Sequence, residues 1–168
     1  MEILILLGLV LLNGLFAMSE IALVTARKGR LSKLAAEGDQ GAAVALKLGE
    51  DPTRFLSAIQ IGITSIGLLN GIVGESVLAK PLADWLTALG LASATAGITA
   101  TALVVVIVTY VSIVVGELVP KRIGQLSPET IARLVARPMQ WLARLTRPFV
   151  MLLALSTHGL IRVLGIQI

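Results

Sequence analysis

The sequence predicts an all-α integral membrane protein with three transmembrane helices and further juxtamembrane helices on the cytoplasmic side. Of the 168 residues, 56% are hydrophobic and 14% are charged, a balance typical of membrane-embedded chains. Three apolar stretches each exceed the roughly 20 residues that a helix needs to cross about 30 Å of hydrocarbon. They run from about Ile3 to Thr25, from about Phe55 to Leu78 and from about Leu91 to Val119. We therefore expect a single transmembrane domain over residues 1–168.

The composition also limits the chemistry that the chain can perform. The sequence has no cysteine and one histidine, His158, so it offers no disulfide, no thiolate metal site and no histidine proton relay. It contains no Ser/His/Asp arrangement for nucleophilic catalysis and no phosphate-binding glycine loop. We therefore expect that it is not an enzyme, and the oxygen-bearing residues of its spans favour metal binding over catalysis.

The basic residues predict an orientation. Of the 14 Lys and Arg residues, only Lys80 lies between the second and third spans. The others lie in the first loop and in the segment after the third span. Because Lys and Arg concentrate on the cytoplasmic side, we expect a multi-pass protein of the plasma membrane, with its N-terminus outside and its C-terminus in the cytoplasm. The same pattern accounts for the net charge of +4 without a nucleic-acid partner. The first apolar run lacks a basic leader and is too long for a cleavable signal peptide.

Two segments outside the spans are predicted to form juxtamembrane helices. Residues 28–50 are Ala-rich and amphipathic, with Gly38 and Gly41 as expected breakers of a short helix pair. Residues 128–166 combine apolar positions with a basic face, which is typical of interfacial helices, and they are expected to contact membrane lipids. Pro138 and Pro148 should break or kink this segment. Residues 148–168 are either interfacial or a fourth span, which would place the C-terminus outside.

The most informative motif is Gly116-Glu117-Leu118-Val119-Pro120-Lys121, which closes the third apolar run. An acid within such a run costs about 2.5–3.5 kcal/mol at the helix centre, so it generally has a partner. Pro120 has no N–H to donate to the carbonyl of Gly116, four residues earlier. A freed carbonyl beside a carboxylate provides two hard oxygens for a cation such as Mg²⁺ or Ca²⁺. The alternative is an ordinary proline kink, with Glu117 extended to the interface.

The first span contributes Ser19 and Glu20. Asn13 lies seven residues before Glu20 and therefore on nearly the same helix face. Few apolar residues separate Glu20 from Arg27, so the simpler interpretation is that Glu20 extends to the inner interface. In the third span, Ser112 similarly shares a face with the glycine four residues later.

A stripe of small and polar residues follows one face of the second span. Its members, at spacings of three and four, are Ser57, Gln60, Thr64, Gly67, Gly71 and Gly74. Such stripes let transmembrane helices pack closely, which is the simpler interpretation of the stripe as a whole. Asn70 differs because it offers a neutral oxygen near the middle of the bilayer, and Glu75 follows it. Gly67, Gly71 and Gly74 make this turn a candidate for unwinding, which is tolerated only where protein or a cavity covers the backbone.

Three sequence blocks together resemble a known family. They are Asn13–Ala22, Phe55–Thr64 and Gly116–Lys121, and they occur in the family's order. The family is that of the CNNM/CorC magnesium transporters, and the resemblance covers nearly the whole chain. It implies a homodimer that exports Mg²⁺ in exchange for Na⁺ by alternating access. It also implies that ATP acts only through a cytoplasmic CBS-pair module, which is absent from this sequence.

The resemblance also implies a set of ion ligands. A largely dehydrated Mg²⁺ would lie among the three helices in an inward-facing cavity. The ligands transferred by motif are Ser19, Asn70, the carbonyl of Gly116, and Glu117, with Glu20 and Glu75 as weaker members.

Two other functions remain open. The same ligands would serve a Mg²⁺-sensing membrane anchor that positions cytoplasmic regulatory domains and moves no ion. The polar stripe would also suit a purely structural helix bundle, in which replacing Glu117 leaves the response to cations unchanged.

Overall fold

The computed structural model describes residues 1–167, and this part of the chain contains helices and no strand. The α-helices are α1 (Glu2–Thr25), α2 (Lys28–Ala36), α3 (Gln40–Glu50), α4 (Pro52–Ala88), α5 (Ser93–Ile113), α6 (Val119–Leu126), α7 (Pro128–Leu145) and α8 (Arg147–Val163). A π-helical turn, Val114–Leu118, joins α5 to α6. The predicted all-α class is confirmed. The last residue of the predicted domain, Ile168, lies outside the described residues.

Three helical stretches are long and apolar enough to cross a membrane within the described chain, as predicted. They are Glu2–Thr25, Pro52–Ala88 and Ser93–Leu126. The last two continue beyond the predicted spans, through Lys80 and Pro81 in α4 and through Pro120 in α6. The difference arises because hydropathy marks where apolar residues end, whereas a helix can continue past the bilayer surface.

The described chain divides into two compact units. The first unit comprises Met1–Ile21 and Gly62–Leu126. Inside it, glycines mark close contacts between helices: a Cβ at Gly14 would lie 2.9 Å from Cγ of Pro120, and one at Gly124 would lie 2.9 Å from the carbonyl oxygen of Met18. A side chain at either position would force α1 away from α6, so these glycines permit the approach.

The glycines of α4 do not interrupt it. The helix is continuous through Gly67 and Gly71, where a Cβ would meet open space, so the unwinding considered for this turn is not observed. A glycine within a helix costs only about 1 kcal/mol relative to alanine, less than leaving backbone groups unpaired in lipid. Gly74 alone of these three has a packing role, since a Cβ there would lie 2.9 Å from Val108 on α5.

The second unit comprises Ala22–Ile61 and the chain from Ser127 onward. Its core joins α2, α3 and α7 through small side chains and one leucine. The buried members are Leu31, Ala42, Ala45, Ala132 and Ala136. Because most of them are alanines, the backbones of α3 and α7 come close together.

Asp39 and Gly41 fasten α3 to α7. Asp39 caps α3 by accepting the N–H of Ala42 at 2.9 Å, and it forms an ion pair with Arg133. The hydrogen bond from the Ala42 N–H, and to a smaller extent that from Arg133, holds the pKa of the Asp39 carboxyl below its usual range. Gly41 was expected to break the helix, but it lies inside α3, where a Cβ would collide with the carbonyl of Arg133. The break instead occurs at Gly38, whose φ is 100°.

The two prolines of the C-terminal segment behave differently from each other. α7 passes through Pro138 without a break, whereas the chain leaves the helix at Thr146 and Pro148 sits in the first turn of α8. A proline in a first turn is favourable because that N–H has no helical partner anyway.

Glu129 lies in the first turn of α7. Its carboxylate accepts hydrogen bonds from the backbone N–H of Glu129 itself and from that of Arg27, the latter at 3.2 Å, and these bonds hold the pKa of Glu129 below its usual range.

Candidate functional site

The π-helical turn Val114–Leu118 is the irregular part of the third membrane-length helix. The N–H of Val119 donates to the carbonyl of Val114, five residues earlier, and Pro120 follows immediately. Single π-turns inside α-helices are rare and occur frequently at functional sites. The sequence predicted an irregularity here because proline cannot donate to the carbonyl four residues before it.

The carbonyl of Gly116 lies within this turn and has a side-chain donor. Nδ2 of Asn13, on α1, donates to it at 3.0 Å, and both residues are buried. A Cβ on Gly116 would lie 3.2 Å from that nitrogen and 3.4 Å from the carbonyl oxygen of Val10, so glycine allows α1 to approach. The structure thus joins the first span to the 116–121 motif through one amide.

Three buried oxygen atoms of the first unit have no hydrogen-bond partner in the part of the chain that the structure describes. They are Oδ1 of Asn13, Oδ1 of Asn70 and Oγ of Ser112. Asn13 and Asn70 are 5% and 2% exposed. A buried polar atom without a partner costs about 1–3 kcal/mol, and most such atoms in folded proteins are satisfied by protein, water or an ion. Amide and hydroxyl oxygens are also ligands for hard cations.

The structure places the predicted neutral ligands as follows. Ser19 is fully buried, and its Oγ donates to the carbonyl of Leu15 on the same helix at 2.6 Å. Its lone pairs remain available as acceptors. Asn70 is buried on α4. The hydrogen bonds described here link Gly116 to Asn13 and leave Ser19 and Asn70 unlinked to that turn.

The predicted acidic residues are less buried. Glu117 is partly buried in the π-turn, Glu75 is exposed, and Glu20 forms an ion pair with Lys121 at 3.8 Å. Within residues 1–167, no three His, Cys, Asp or Glu side chains meet in a group able to hold a metal ion. A cation in the first unit would therefore depend on amide, hydroxyl and carbonyl oxygens together with a carboxylate.

Three further residues of this region are prominent in the sequence but are not predicted there as ligands. Asn13 was noted for sharing a face with Glu20, and Ser112 for sharing one with Gly116, but neither was proposed as a ligand. Lys121 closes the 116–121 motif, but no partner was predicted for its charge. For Asn13 and Ser112, the shared helix face was the signal that the sequence offered. The ion pair of Lys121 with Glu20 could not be predicted, because it depends on how α1 packs against α6.

Comparison with known proteins identifies the chain's relatives. Residues 4–168 match the model of the Cyclin M transmembrane N-terminal domain, abbreviated CNNM. The chain belongs to the CNNM family. The predicted resemblance is thereby confirmed for nearly the whole sequence.

Individual relatives of this CNNM domain come from several bacteria. UPF0053 protein sll0260 of Synechocystis is 49% identical over 99% of the chain and 37% of its own length, and UPF0053 protein YhdP of Bacillus subtilis is 32% identical over 95% and 36%. A protein of Haemophilus influenzae named polyamine export protein is 34% identical over 88% of the chain and 34% of its own length. The chain thus spans little more than a third of these relatives.

Proposed function

We propose that this chain is the membrane domain of a Mg²⁺ transporter that exports Mg²⁺ by alternating access, coupled to Na⁺. The observation that carries the proposal is that three buried oxygen atoms of the first unit, on Asn13, Asn70 and Ser112, have no hydrogen-bond partner within the described chain. An oxygen atom that binds a cation uses its lone pairs for the ion, so it is expected to lack a hydrogen-bond donor within the protein. Membership of a family of transmembrane domains supports an integral membrane role.

In this proposal, the ion is held by groups with separate tasks. Glu117 supplies negative charge, while Ser19, Asn70 and the carbonyl of Gly116 replace waters lost by a largely dehydrated Mg²⁺. Mg²⁺ prefers six oxygens near 2.0–2.1 Å and gives up its waters reluctantly, so neutral oxygens must be preorganised. The bond from Asn13 to Gly116 holds one of them, since it ties the π-turn to α1.

The first test is Mg²⁺-dependent thermal stabilisation of the purified chain. A ligand that binds the folded state stabilises it by about 2.7 kcal/mol at a hundred times its Kd. We expect Mg²⁺ to raise the Tm of the wild type and of Glu50→Gln, an exposed control on α3, but to have little effect on Glu117→Gln. Equal stabilisation of all three proteins would remove Glu117 from the site.

The second test separates transport from sensing. In proteoliposomes, we expect Mg²⁺ efflux that depends on an opposing Na⁺ gradient and that Glu117→Gln abolishes. Mg²⁺ binding without flux under any Na⁺ gradient would instead support the alternative function, a non-transporting sensor that anchors cytoplasmic domains.

A second candidate cargo comes from the name of the Haemophilus influenzae relative, a polyamine export protein. A polyamine is a flexible polycation and could use the same carboxylates, with fewer constraints on the neutral oxygens. Spermidine should therefore be compared with Mg²⁺ in the thermal assay. Stabilisation of the wild type by spermidine but not by Mg²⁺ would favour a polyamine as the cargo.

The assembly is also a proposal. We propose that two copies form the working unit in the plasma membrane, since the family resemblance implies a homodimer. Crosslinking of the protein in native membranes tests this, and a product of monomer size alone would argue against it.

A further inference from the structure

A basic cavity lies in the second unit, outside the candidate ion site. It has a volume of about 260 Å³ and lies where the end of α3, the start of α4, the end of α7 and the start of α8 meet. Four basic side chains line it: Lys47, Arg54, Arg144 and Arg147. Asp51 is the one acidic residue among its lining residues, and it accepts a backbone N–H from the first turn of α4 at 3.4 Å.

Within residues 1–167, none of the four basic side chains of this cavity has a carboxylate partner. Among the described residues, ion pairs are formed by Glu20 with Lys121 and by Asp39 with Arg133. The basic residues of α7 therefore divide into two groups. Arg133 and Arg137 contact Asp39 and Gln40 and hold α3, whereas Arg144 faces the cavity unpaired. Like charges that share a cavity repel one another, so the cavity favours an anion.

A second groove adjoins the basic cavity and is largely apolar. Its volume is about 620 Å³, and it shares Asp51, Arg54 and Arg147 with the cavity. Beyond these residues, Thr53 and Ser57 of α4 and a longer stretch of α8 form its wall. The α8 residues are Val150, Met151, Leu153 and Ala154, followed by Thr157 and His158. The two spaces thus adjoin at Asp51, Arg54 and Arg147, with basic side chains on one side and mainly apolar side chains on the other.

The elements around the cavity favour a membrane-bound ligand over a soluble one. α4, whose first turn lines both spaces, is long and apolar enough to span a bilayer. None of the α8 residues is buried within the described chain, although Phe149, Leu152 and Leu155 are among them. An apolar helix left uncovered beside the end of a membrane span is expected to lie at the lipid interface.

We propose that this cavity and groove bind one anionic glycerophospholipid. The phosphate accepts hydrogen bonds from, and forms ion pairs with, four side chains: Lys47, Arg54, Arg144 and Arg147. An acyl chain lies along α8. Arginine suits this role because its planar guanidinium binds phosphate oxygens in a bidentate manner. The bound lipid reduces the repulsion among the four cations and fastens α8 to the start of α4.

Native mass spectrometry of the full 168-residue chain in neutral detergent tests this proposal. The probes are dioleoyl phosphatidylglycerol, dioleoyl phosphatidylcholine and glycerol 3-phosphate. We expect phosphatidylglycerol to bind at least about tenfold more tightly than phosphatidylcholine, and the double variant Arg54→Gln/Arg144→Gln to lose that preference. The matched control Arg122→Gln/Arg162→Gln removes the same charge from exposed positions outside the cavity and should keep it.

A groove variant tests the acyl-chain part independently of charge. Ala154→Trp should fill the groove and weaken phosphatidylglycerol binding, and it decides the question alone if the double arginine variant does not fold. The proposal is overturned if the control loses the preference equally, if Ala154→Trp has no effect, or if wild type shows no preference. Displacement of the lipid by glycerol 3-phosphate or by an acidic peptide at equal concentration would also overturn it, in favour of a soluble anion or a protein segment.

Discussion

Two buried asparagines of the first unit differ in what their side chains achieve. Both have a buried Oδ1 without a hydrogen-bond partner in the described chain, but only Asn13 also donates, from Nδ2 to the Gly116 carbonyl. The amide of Asn13 therefore contributes to the fold even in the absence of an ion. The burial of the Asn70 oxygen lowers stability unless something donates to it or a cation binds it.

This contrast predicts opposite effects of one substitution. In ion-free detergent, Asn13→Leu should lower the free energy of unfolding by about 1 kcal/mol, because it leaves a buried carbonyl without its donor. Asn70→Leu should leave stability unchanged or raise it, because it removes an unsatisfied acceptor. Both should reduce stabilisation by Mg²⁺. Equilibrium unfolding of the two variants beside wild type measures this, and a comparable loss in Asn70→Leu would mean that its amide is already satisfied.

At the scale of elements, Pro120 explains why the third long helix contains a π-turn. An alanine at this position would restore an N–H that can donate to the Gly116 carbonyl and compete with Asn13. A proline inside a helix costs about 3 kcal/mol, so Pro120→Ala should raise the ion-free Tm. It should also reduce the Tm increase produced by Mg²⁺, since the carbonyl is then occupied within its own helix.

Pro81 provides the control for that prediction, because it too lies inside a long helix but is remote in sequence from the π-turn. Pro81→Ala should raise the ion-free Tm without reducing the response to Mg²⁺. If Pro120→Ala kept the full Mg²⁺ response, the π-turn would be a packing feature rather than part of an ion site.

A second prediction at this scale concerns the attachment of α3 to α7 through Asp39. The lowered pKa of Asp39 means that the ionised carboxylate is more stable in the folded state than in the unfolded chain. The stabilisation is therefore complete above the ordinary aspartate pKa of about 3.9 and is lost as pH falls through the lower folded-state value. Asp39→Asn keeps the helix cap but removes the ion pair with Arg133.

We therefore expect Asp39→Asn to have a lower Tm than wild type at pH 7 and the difference to close below about pH 4. Thermal unfolding in detergent between pH 3 and pH 7 measures it. Glu37→Gln, an exposed neighbour outside both described ion pairs, should differ little from wild type throughout. A Tm difference for Asp39→Asn that is independent of pH would indicate lost packing instead of a lost charge.

At the scale of the whole molecule, apolar patterning was sufficient to predict the helical class and the number of membrane-length helices. It could not predict which helices contact each other, because burial in lipid gives the same pattern on every face. Pro120 indicated that the Gly116 carbonyl would need a donor, yet any polar residue on another helix could have supplied it. Likewise, a glycine at position 41 suggests a helix break when only the sequence is considered. Its packing role becomes clear only from its contact with Arg133.

The orientation predicted from the basic residues can be tested because the chain has no cysteine of its own. Ala92, between α4 and α5, and Glu37, between α2 and α3, are both exposed. In intact cells, a membrane-impermeant maleimide should label Ala92→Cys, whereas Glu37→Cys should react only after permeabilisation. The reverse pattern would mean that the chain is inserted in the opposite orientation.

The same assay decides on which side of the membrane the end of α8 lies. α8 has 17 residues and is not among the three helices long and apolar enough to cross a membrane within the described chain. If α8 lies at the cytoplasmic interface, Gln167→Cys should be protected in intact cells, as Glu37→Cys is. Labelling of Gln167→Cys without permeabilisation would make α8 a fourth span and would leave the lipid groove along it inside the bilayer. The cysteine-free parent, which should not react in either condition, defines the background.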